Sequence, residues 1–413
     1  MEKRIPRRRF KEFVGSGEWE EKKLGEVVDI YDGTHQTPNY TEEGIMFLSV
    51  ENIKTLTSKK YISKQDFKKD FKVYPEKGDI LMTRIGDVGT ANVVKSSRPV
   101  AYYVSLALLK NNKLDSYFLK ECIATKPVQM ELWVRTLHIA FPKKINKNEI
   151  GNVSLPIPSL AEQEKIGHFF QKLDRLIDIN KQKLGKLKAS KSAYLTEMFP
   201  GEGEDRPRRR FQGFTGEWEE NKFEDILDSS EGIRRGPFGS ALKKDCFVKR
   251  SIYAVYEQKN AIEDKYDVRY YITKGKYDEL SNFHLKPGDY IMSGAGTIGC
   301  ISRVPKNIKK GVFNQALIRI RINDKLLNNN YFLIWMRSPN MQKRLTGANP
   351  ASAMVNLVPM VELKQWNVLI PSLAEQEKIG DFFKRLDQQI EVQGEKLEKL
   401  EKMKKAYLAE MFV

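Results

Sequence analysis

The ten residues PSLAEQEKIG occur twice, at Pro158–Gly167 and again at Pro371–Gly380. They open a longer copy, in which Ile157–Phe199 aligns without a gap to Ile370–Phe412. Repetition on this scale restricts the chain to a fold of two like units, because each copy must find equivalent surroundings. A shorter repeat supports this: PRRRFKEFVGSGEWEE (Pro6–Glu21) resembles PRRRFQGFTGEWEE (Pro207–Glu220), with two residues more in the first. The first long copy continues through MFPGEGEDRPRRRF, whose PGEGEDRP is a turn or linker; the second reaches MFV, while the sequence begins MEKRIPRRRF. Joining the last residue to the first nearly reproduces the internal junction. The sequence therefore reads as a circle of two equal units opened at one point, and two equal units imply a pseudo-two-fold axis.

Each long copy has the signature of a helix start. Proline precedes a serine, and Ser159 with Glu162, like Ser372 with Glu375, fits the S-x-x-E capping box. Beyond it the seam steps by four and three. The first copy gives Leu173, Ile177, Asn180, Leu184, Leu187, Lys191, Tyr194 and Met198; the second gives Leu386, Ile390, Gln393, Leu397, Leu400, Lys404, Tyr407 and Met411. This spacing predicts a coiled-coil pair of helices, antiparallel under the two-fold, rather than two ordinary amphipathic helices. Asn180 and Gln393 fall at the same step, where a buried amide fixes register and partner. A helix of about 40 residues is about 60 Å long.

The intervals between the repeats diverge but share punctuation. EKGDILMTRIGDVGTANVV (Glu76–Val94) lines up with KPGDYIMSGAGTIGCISRV (Lys286–Val304): turn, apolar strand, glycine-containing loop, strand. YVSLALLK and YFLKECI match VFNQALIRI and YFLIWMR in position. The expectation is an α+β module built twice with different loops. Catalytic signatures are weak. GAGTIG (Gly294–Gly299) satisfies G-x-G-x-x-G but leads into CISRVP, another strand, so turn glycines explain it better than a dinucleotide site. No Walker motif occurs, and Cys122, Cys246 and Cys300 form no CxxC pair, which excludes a disulfide scaffold or a thiolate zinc site and suits a reducing cytoplasm. No apolar run reaches the length of a membrane span, and the start lacks a secretory core. The net charge of +17 points to a polyanionic partner. The balance favours a binding protein without catalytic, metal or cofactor residues of its own.

With these elements together, the chain resembles the specificity subunit of a Type I restriction-modification system. The resemblance covers nearly the whole chain. It rests on the two divergent modules and the two IPSLAEQEKIG helices, on YDGTHQTPNYTEEGIMFLSVENI (Tyr31–Ile53), on RGPFGSALKKD (Arg235–Asp245), and on VYEQKNAI (Val255–Ile262). GEWEEKKLGEV (Gly17–Val27) and GEWEENKFEDIL (Gly216–Leu227) look like the lead-in to each module. The resemblance implies a non-catalytic chain in which each module is a target recognition domain for one half of a split, asymmetric site in double-stranded DNA. The helices hold the domains apart and set the gap. Two modification subunits, adenine methyltransferases carrying S-adenosylmethionine, dock on the repeats; restriction subunits add ATP- and Mg-dependent translocation and cleavage. A stand-alone two-headed DNA-binding regulator is the alternative.

The division expected is a repeated spacer at 1–21, recognition domain one at 22–157, a central helix at 158–199, a linker and spacer at 200–220, recognition domain two at 221–370, and a final helix at 371–413. Base edges are read by short polar or bidentate groups, and phosphates by Lys, Arg or backbone N–H. The candidates in domain one are Thr34, His35, Gln36, Thr37, Asn39, Thr83 and Arg84. In domain two they are Arg234, Arg235, Ser240, Lys243, Lys244, Gln258 and Asn260, the two arginines on a loop. The RRR runs at Arg7–Arg9 and Arg208–Arg210 are read as contacts to phosphate or an acidic subunit, or as solvated surface. Trp19 and Trp218 are read as packing residues.

Overall fold

The computed structural model describes residues 5–111, 113–347 and 359–413, so part of the expected second domain and of the first spacer lies outside it. Contacts group the chain into two units, Met1–Gln182 with Gly394–Val413, and Lys183–Gln393. Among the described residues no helix is long and apolar enough to cross a membrane.

Unit 1 contains strands β1 (Glu20–Lys23), β2 (Asp29–Asp32), β3 (Ile45–Leu48), β4 (Tyr61–Ile62), β5 (Ile80–Thr83), β6 (Ala91–Val93), β7 (Val100–Tyr102), β8 (Leu106–Lys110) and β9 (Ser154–Ile157). Its helices are α1 (Leu24–Val27), α2 (Lys64–Asp70), α3 (Ser116–Ile123), α4 (Lys126–Val134), α5 (Lys147–Gly151) and the first part of α6 (Leu160–Glu197). One antiparallel sheet runs β2-β8-β5-β6; a second, mixed sheet runs β4-β3-β7, with β3 antiparallel to β4 and parallel to β7; and β1 pairs with β9. β5 is buried along its whole length, which is why ILMT reads as one apolar run instead of alternating.

Unit 2 repeats this plan. It has β10 (Glu219–Lys222), β11 (Ile233–Arg235), β12 (Phe247–Val248), β13 (Tyr253–Tyr256), β14 (Tyr270–Ile272), β15 (Tyr290–Ser293), β16 (Ile301–Arg303), β17 (Gly311–Phe313), β18 (Leu317–Ile320) and β19 (Asn367–Ile370). Helices are α7 (Gln258–Glu263), α8 (Lys274–Glu279), α9 (Asn329–Met336), α10 (Pro339–Thr346), α11 (Met360–Lys364) and the first part of α12 (Leu373–Met411). The sheets run β11-β18-β15-β16 and β12-β14-β13-β17, with β10 on β19, so the second sheet gains the strand β12.

Each unit takes one stretch of α6 and one of α12, packed antiparallel. In unit 1 Lys404 Nζ lies 2.5 Å from Asp174 and Phe169 packs edge-on to Tyr407; in unit 2 Lys191 Nζ lies 2.5 Å from Asp387 and Tyr194 packs edge-on to Phe382. Along the seam Leu173, Ile177, Asn180, Met198, Leu386, Gln393 and Met411 are buried. Leu184, Leu187, Tyr194, Ile390, Leu397, Leu400 and Tyr407 are half-buried. Asn180 turns its Nδ2 to the carbonyl of Leu176, at 2.7 Å.

The circle read from the sequence closes in unit 1. Phe412 is buried against Trp19, Phe118 and Phe170, just as Phe199 in unit 2 meets Tyr331 and Phe383 beside Trp218. One alignment needs shifting. The Tyr-Phe-Leu letters of α3 and α9 coincide one residue out of structural register, because the caps set it: Asp115 accepts from Phe118 N, and Asn328 from Tyr331 N. Phe118 therefore corresponds to Tyr331.

PSLAEQEKIG serves mostly as internal mortar. Ser159 accepts from Glu162 N at 3.4 Å, but Glu162 does not complete the capping box. Both its oxygens bind Arg9, at 2.8 and 2.6 Å, because a bidentate charge-assisted pair outcompetes a backbone N–H. Glu375 and Arg210 do the same. Gln163 bonds Pro158 O and receives Asp115 N; Gln376 bonds Pro371 O and receives Asn328 N. A Cβ on Gly167 would lie 2.9 Å from Phe118 N, and one on Gly380 2.8 Å from Tyr331 N, so only glycine lets each long helix cross its neighbour. The arginine runs are likewise internal in part: Arg8 pairs with Glu410, Arg208 with Glu204 and Arg209 with Glu197, while Arg7 is exposed.

Candidate nucleic-acid interface

The two units share one way of sending a loop outward from the four-stranded sheet. In unit 1 β2 ends at Asp32, and Gly33 passes so close to the next strand that a Cβ would lie 2.6 Å from the carbonyl carbon of Tyr103. Thr34 then bonds across, its N–H to Tyr102 O at 3.1 Å and its O to Val104 N at 3.0 Å. In unit 2 β11 ends at Arg235, and a Cβ on Gly236 would lie 2.8 Å from Gln315 N. Gly236 N bonds Leu317 O at 2.9 Å. Both loops are thus anchored at their root, and that of unit 2 is held again where Ala241 and Leu242 pack against its core.

These loops hold most of the candidate residues. His35, Gln36, Thr37 and Asn39 are exposed, and Thr34 is half-buried with its Oγ1 donating to Gln36 O at 3.4 Å. Ser240, Lys243 and Lys244 are exposed on the loop of unit 2. Phe238, which the sequence reading passed over, stands 82% exposed on the same loop. Arg234 and Arg235 are on strand β11, not on the loop, because their backbones pair with Arg319 and Ile318 of β18. Strand alternation then sends them opposite ways. Arg235 is exposed, with its Nε 3.4 Å from Gln315 O. Arg234 is half-buried, and its Nε is buried without a partner. Arg319 is wholly buried; its guanidinium reaches Glu231 O at 3.2 Å, and burial lowers its pKa.

The remaining candidates are bound into the scaffold. Thr83 is buried in the β5–β6 hairpin, its Oγ1 accepting from Thr90 N at 2.9 Å; Ser293 does the same for Cys300 N at 3.0 Å. Arg84 is buried, paired with Asp32 and donating to Ile145 O at 3.1 Å. Asn260 is buried, and its amide is spent on its own backbone: it receives Glu257 N and donates to Lys265 O and Asp267 O. Asn52 of unit 1 repeats this cap by receiving Ser49 N. Gln258 bonds Ala295 O, tying α7 to the GAGTIG turn. That turn joins β15 to β16 with Gly296 and Gly299 at positive φ, matching Gly86 and Gly89, and no helix follows it.

A third loop went unread in the sequence. Residues 137–144 are pinned to the β5–β6 turn by Gly86 N to Lys143 O at 2.8 Å and Ile145 N to Arg84 O at 3.0 Å. Leu137 N also bonds Lys144 O, at 2.8 Å. Ile139 and Phe141 stand free at its tip. The signal was present as LHIAFPKK, apolar residues outside any helix or strand period and followed by two lysines.

In each unit taken by itself, exposed loops with polar and basic side chains, on a chain of charge +17, suit a phosphate-bearing ligand. Comparison with known proteins agrees. The family model for the Type I restriction modification DNA specificity domain matches twice, at residues 16–189 and 216–402. The fold is similar to the crystal structure of a Type I restriction-modification system S subunit from M. genitalium, with 13% identity, a TM-score of 0.59 and 99% of each chain covered. It is also similar to a structure described as the structural basis of complex assembly and conformational transition of the type I R-M system. There identity is 15% and the TM-score 0.54, over 94% of this chain and 96% of that one.

Proposed function

The chain belongs to the Type I restriction modification DNA specificity family, and from that premise we propose that it reads a bipartite, asymmetric DNA site, one half per unit. One observation carries this reading: the scaffolds repeat the same sheet plan, caps and helix crossings, while the loops they project differ. His35, Gln36, Thr37 and Asn39 in one unit face solvent where Arg235, Phe238, Ser240, Lys243 and Lys244 do in the other. Equal frames with unequal tips fit two different half-sites, and short polar groups and arginine are the side chains that bond base edges.

The chain contributes address, not chemistry. Two modification subunits, adenine methyltransferases that bring S-adenosylmethionine, dock on equivalent surfaces of the two units, and restriction subunits bring ATP and Mg. The identical residues left outside by internal bonding, Leu160, Ala161 and Glu164 with Leu373, Ala374 and Glu377, are available for that docking. α6 has 38 residues, about 57 Å at 1.5 Å per residue, somewhat under two turns of B-DNA at about 34–36 Å each. That length supports the helices as the ruler of the gap.

The test is methylome sequencing of DNA from cells that express the chain with its modification partner. A split motif is expected. Exchanging residues 22–157 for another module of the family changes one half only, and Arg235→Ala weakens methylation at the half read by unit 2. A change in both halves after the exchange refutes independent modules. Copurification without any methyltransferase favours the stand-alone regulator.

A further inference from the structure

Unit 1 carries an apolar surface that the contacts above leave unused. α4 turns Met130, Trp133 and Val134 outward, and the loop 137–144 adds Ile139 and Phe141, 98% and 104% exposed. Side chains this apolar, grouped on one surface, mark a binding site.

Three observations choose the occupant. The first is place. The loop is fastened to Arg84–Gly86, and Arg84 in turn holds Asp32, which immediately precedes the Gly33–Asn39 loop. The apolar tip therefore continues the candidate DNA surface of unit 1. The second is charge. Lys143 and Lys144 follow the tip, and Lys143 lies 4.7 Å above the Trp133 ring, which also holds His138 against it at 4.1 Å. Cations beside a bare aromatic suit a phosphate backbone flanking a stack of bases.

The third is asymmetry. α4 and α10 correspond, since Gln129 bonds Gly89 O and Ile123 O while Gln342 bonds Gly299 O and Met336 O. Counting from those glutamines, the positions of Met130, Trp133 and Val134 are taken by Lys343, Thr346 and Gly347 in unit 2. Among the described residues, a partner that meets both units alike would find these outward apolar side chains of α4 on only one of them. A ligand that differs between the units is DNA.

We propose that Phe141, supported by Ile139, is a wedge that inserts into the base stack of the half-site held by unit 1. Phe and Ile between base steps unstack them and kink the duplex. Here the kink falls beside the bases faced by His35–Asn39, and it loosens a neighbouring base for extrusion. This inference rests on the reading of the chain as a DNA specificity protein.

The experiment uses the full chain copurified with its modification subunit, on a duplex bearing the methylated motif. Permanganate reactivity of thymines reports unstacking. The wild type is expected to create a reactive step within the half-site of unit 1. Phe141→Ala is expected to abolish that step and weaken specific binding about tenfold or more, with non-specific binding retained, while Phe141→Trp keeps both. Unchanged reactivity and affinity in Phe141→Ala overturn the wedge. So does loss of the modification subunit with the DNA footprint intact, which would make the surface a protein dock. A wild-type complex that prefers no sequence refutes the underlying functional reading instead, and the wedge falls with it.

Discussion

Replacing Phe412 with alanine tests whether the residue that follows α12 is a core element of unit 1. The ring is 5% exposed and lies 6.0 Å from Trp19, 5.5 Å from Phe118 and 5.8 Å from Phe170, centroid to centroid. Removing it deletes the shared neighbour of three large rings that cannot collapse together without moving α3 and α6. Buried Phe→Ala changes cost about 3–5 kcal/mol. For a unit of about 200 residues each kcal/mol lowers the melting temperature by about 2–4 °C, so the transition of unit 1 is expected to fall by on the order of 10 °C. Hydrogen exchange locates the loss: amides of α3 and β8 exchange faster, while those of α9 and β18 do not. Phe199→Ala is the mirror experiment and loosens α9 and β18 instead. Equal loss in both units, or unchanged protection of α3 in Phe412→Ala, would refute the assignment of each aromatic to its own core.

Gly167→Ala is expected to destabilise by about 1–3 kcal/mol, since its Cβ meets the cap of α3, whereas Gly185→Ala, with open space around it, stabilises by about 0.5–1 kcal/mol; urea denaturation separates the two signs. Arg9→Ala leaves Glu162 buried and unpaired and costs about 3–5 kcal/mol, while Arg9→Met with Glu162→Leu costs less, as a double-mutant cycle shows. Burial pushes the Asp174 carboxyl up, but Lys120 and Lys404 outweigh it and hold the group below the ordinary carboxylate range. Its folded pKa is therefore below its unfolded one. The stability it contributes is present at neutral pH and is lost as pH falls through the folded value. Asp174→Asn should lower stability at pH 7 and flatten the acid limb of the pH profile; parallel profiles would contradict this.

Much of the architecture was legible because it is written twice. Two copies of one helix and two sets of turn signals, Gly78-Asp79 and Gly288-Asp289, identify equivalent hairpins even where the strands share few letters. What escaped is what pairwise contact decides. Glu162 looks like a capping residue until Arg9, far away in sequence, takes both its oxygens. Asn260 and Arg84 look like base readers by side-chain type, yet their surroundings turn them inward onto backbone carbonyls. Arg234 and Arg235 are neighbours in sequence, and only strand pairing reveals that one faces water and the other does not. Phe141 was invisible because an apolar residue is expected inside, and its exposure is a property of the loop.

The seating of Phe412 beside Trp19 also sets an order of events during synthesis. The segment translated first cannot finish its interior until residue 412 has left the ribosome, whereas Lys183–Gln393 already holds Phe199 and can complete itself earlier. A nascent chain that stalls late therefore displays an unfilled slot lined by Trp19, Phe118 and Phe170, an adhesive patch that proteases and chaperones are built to notice.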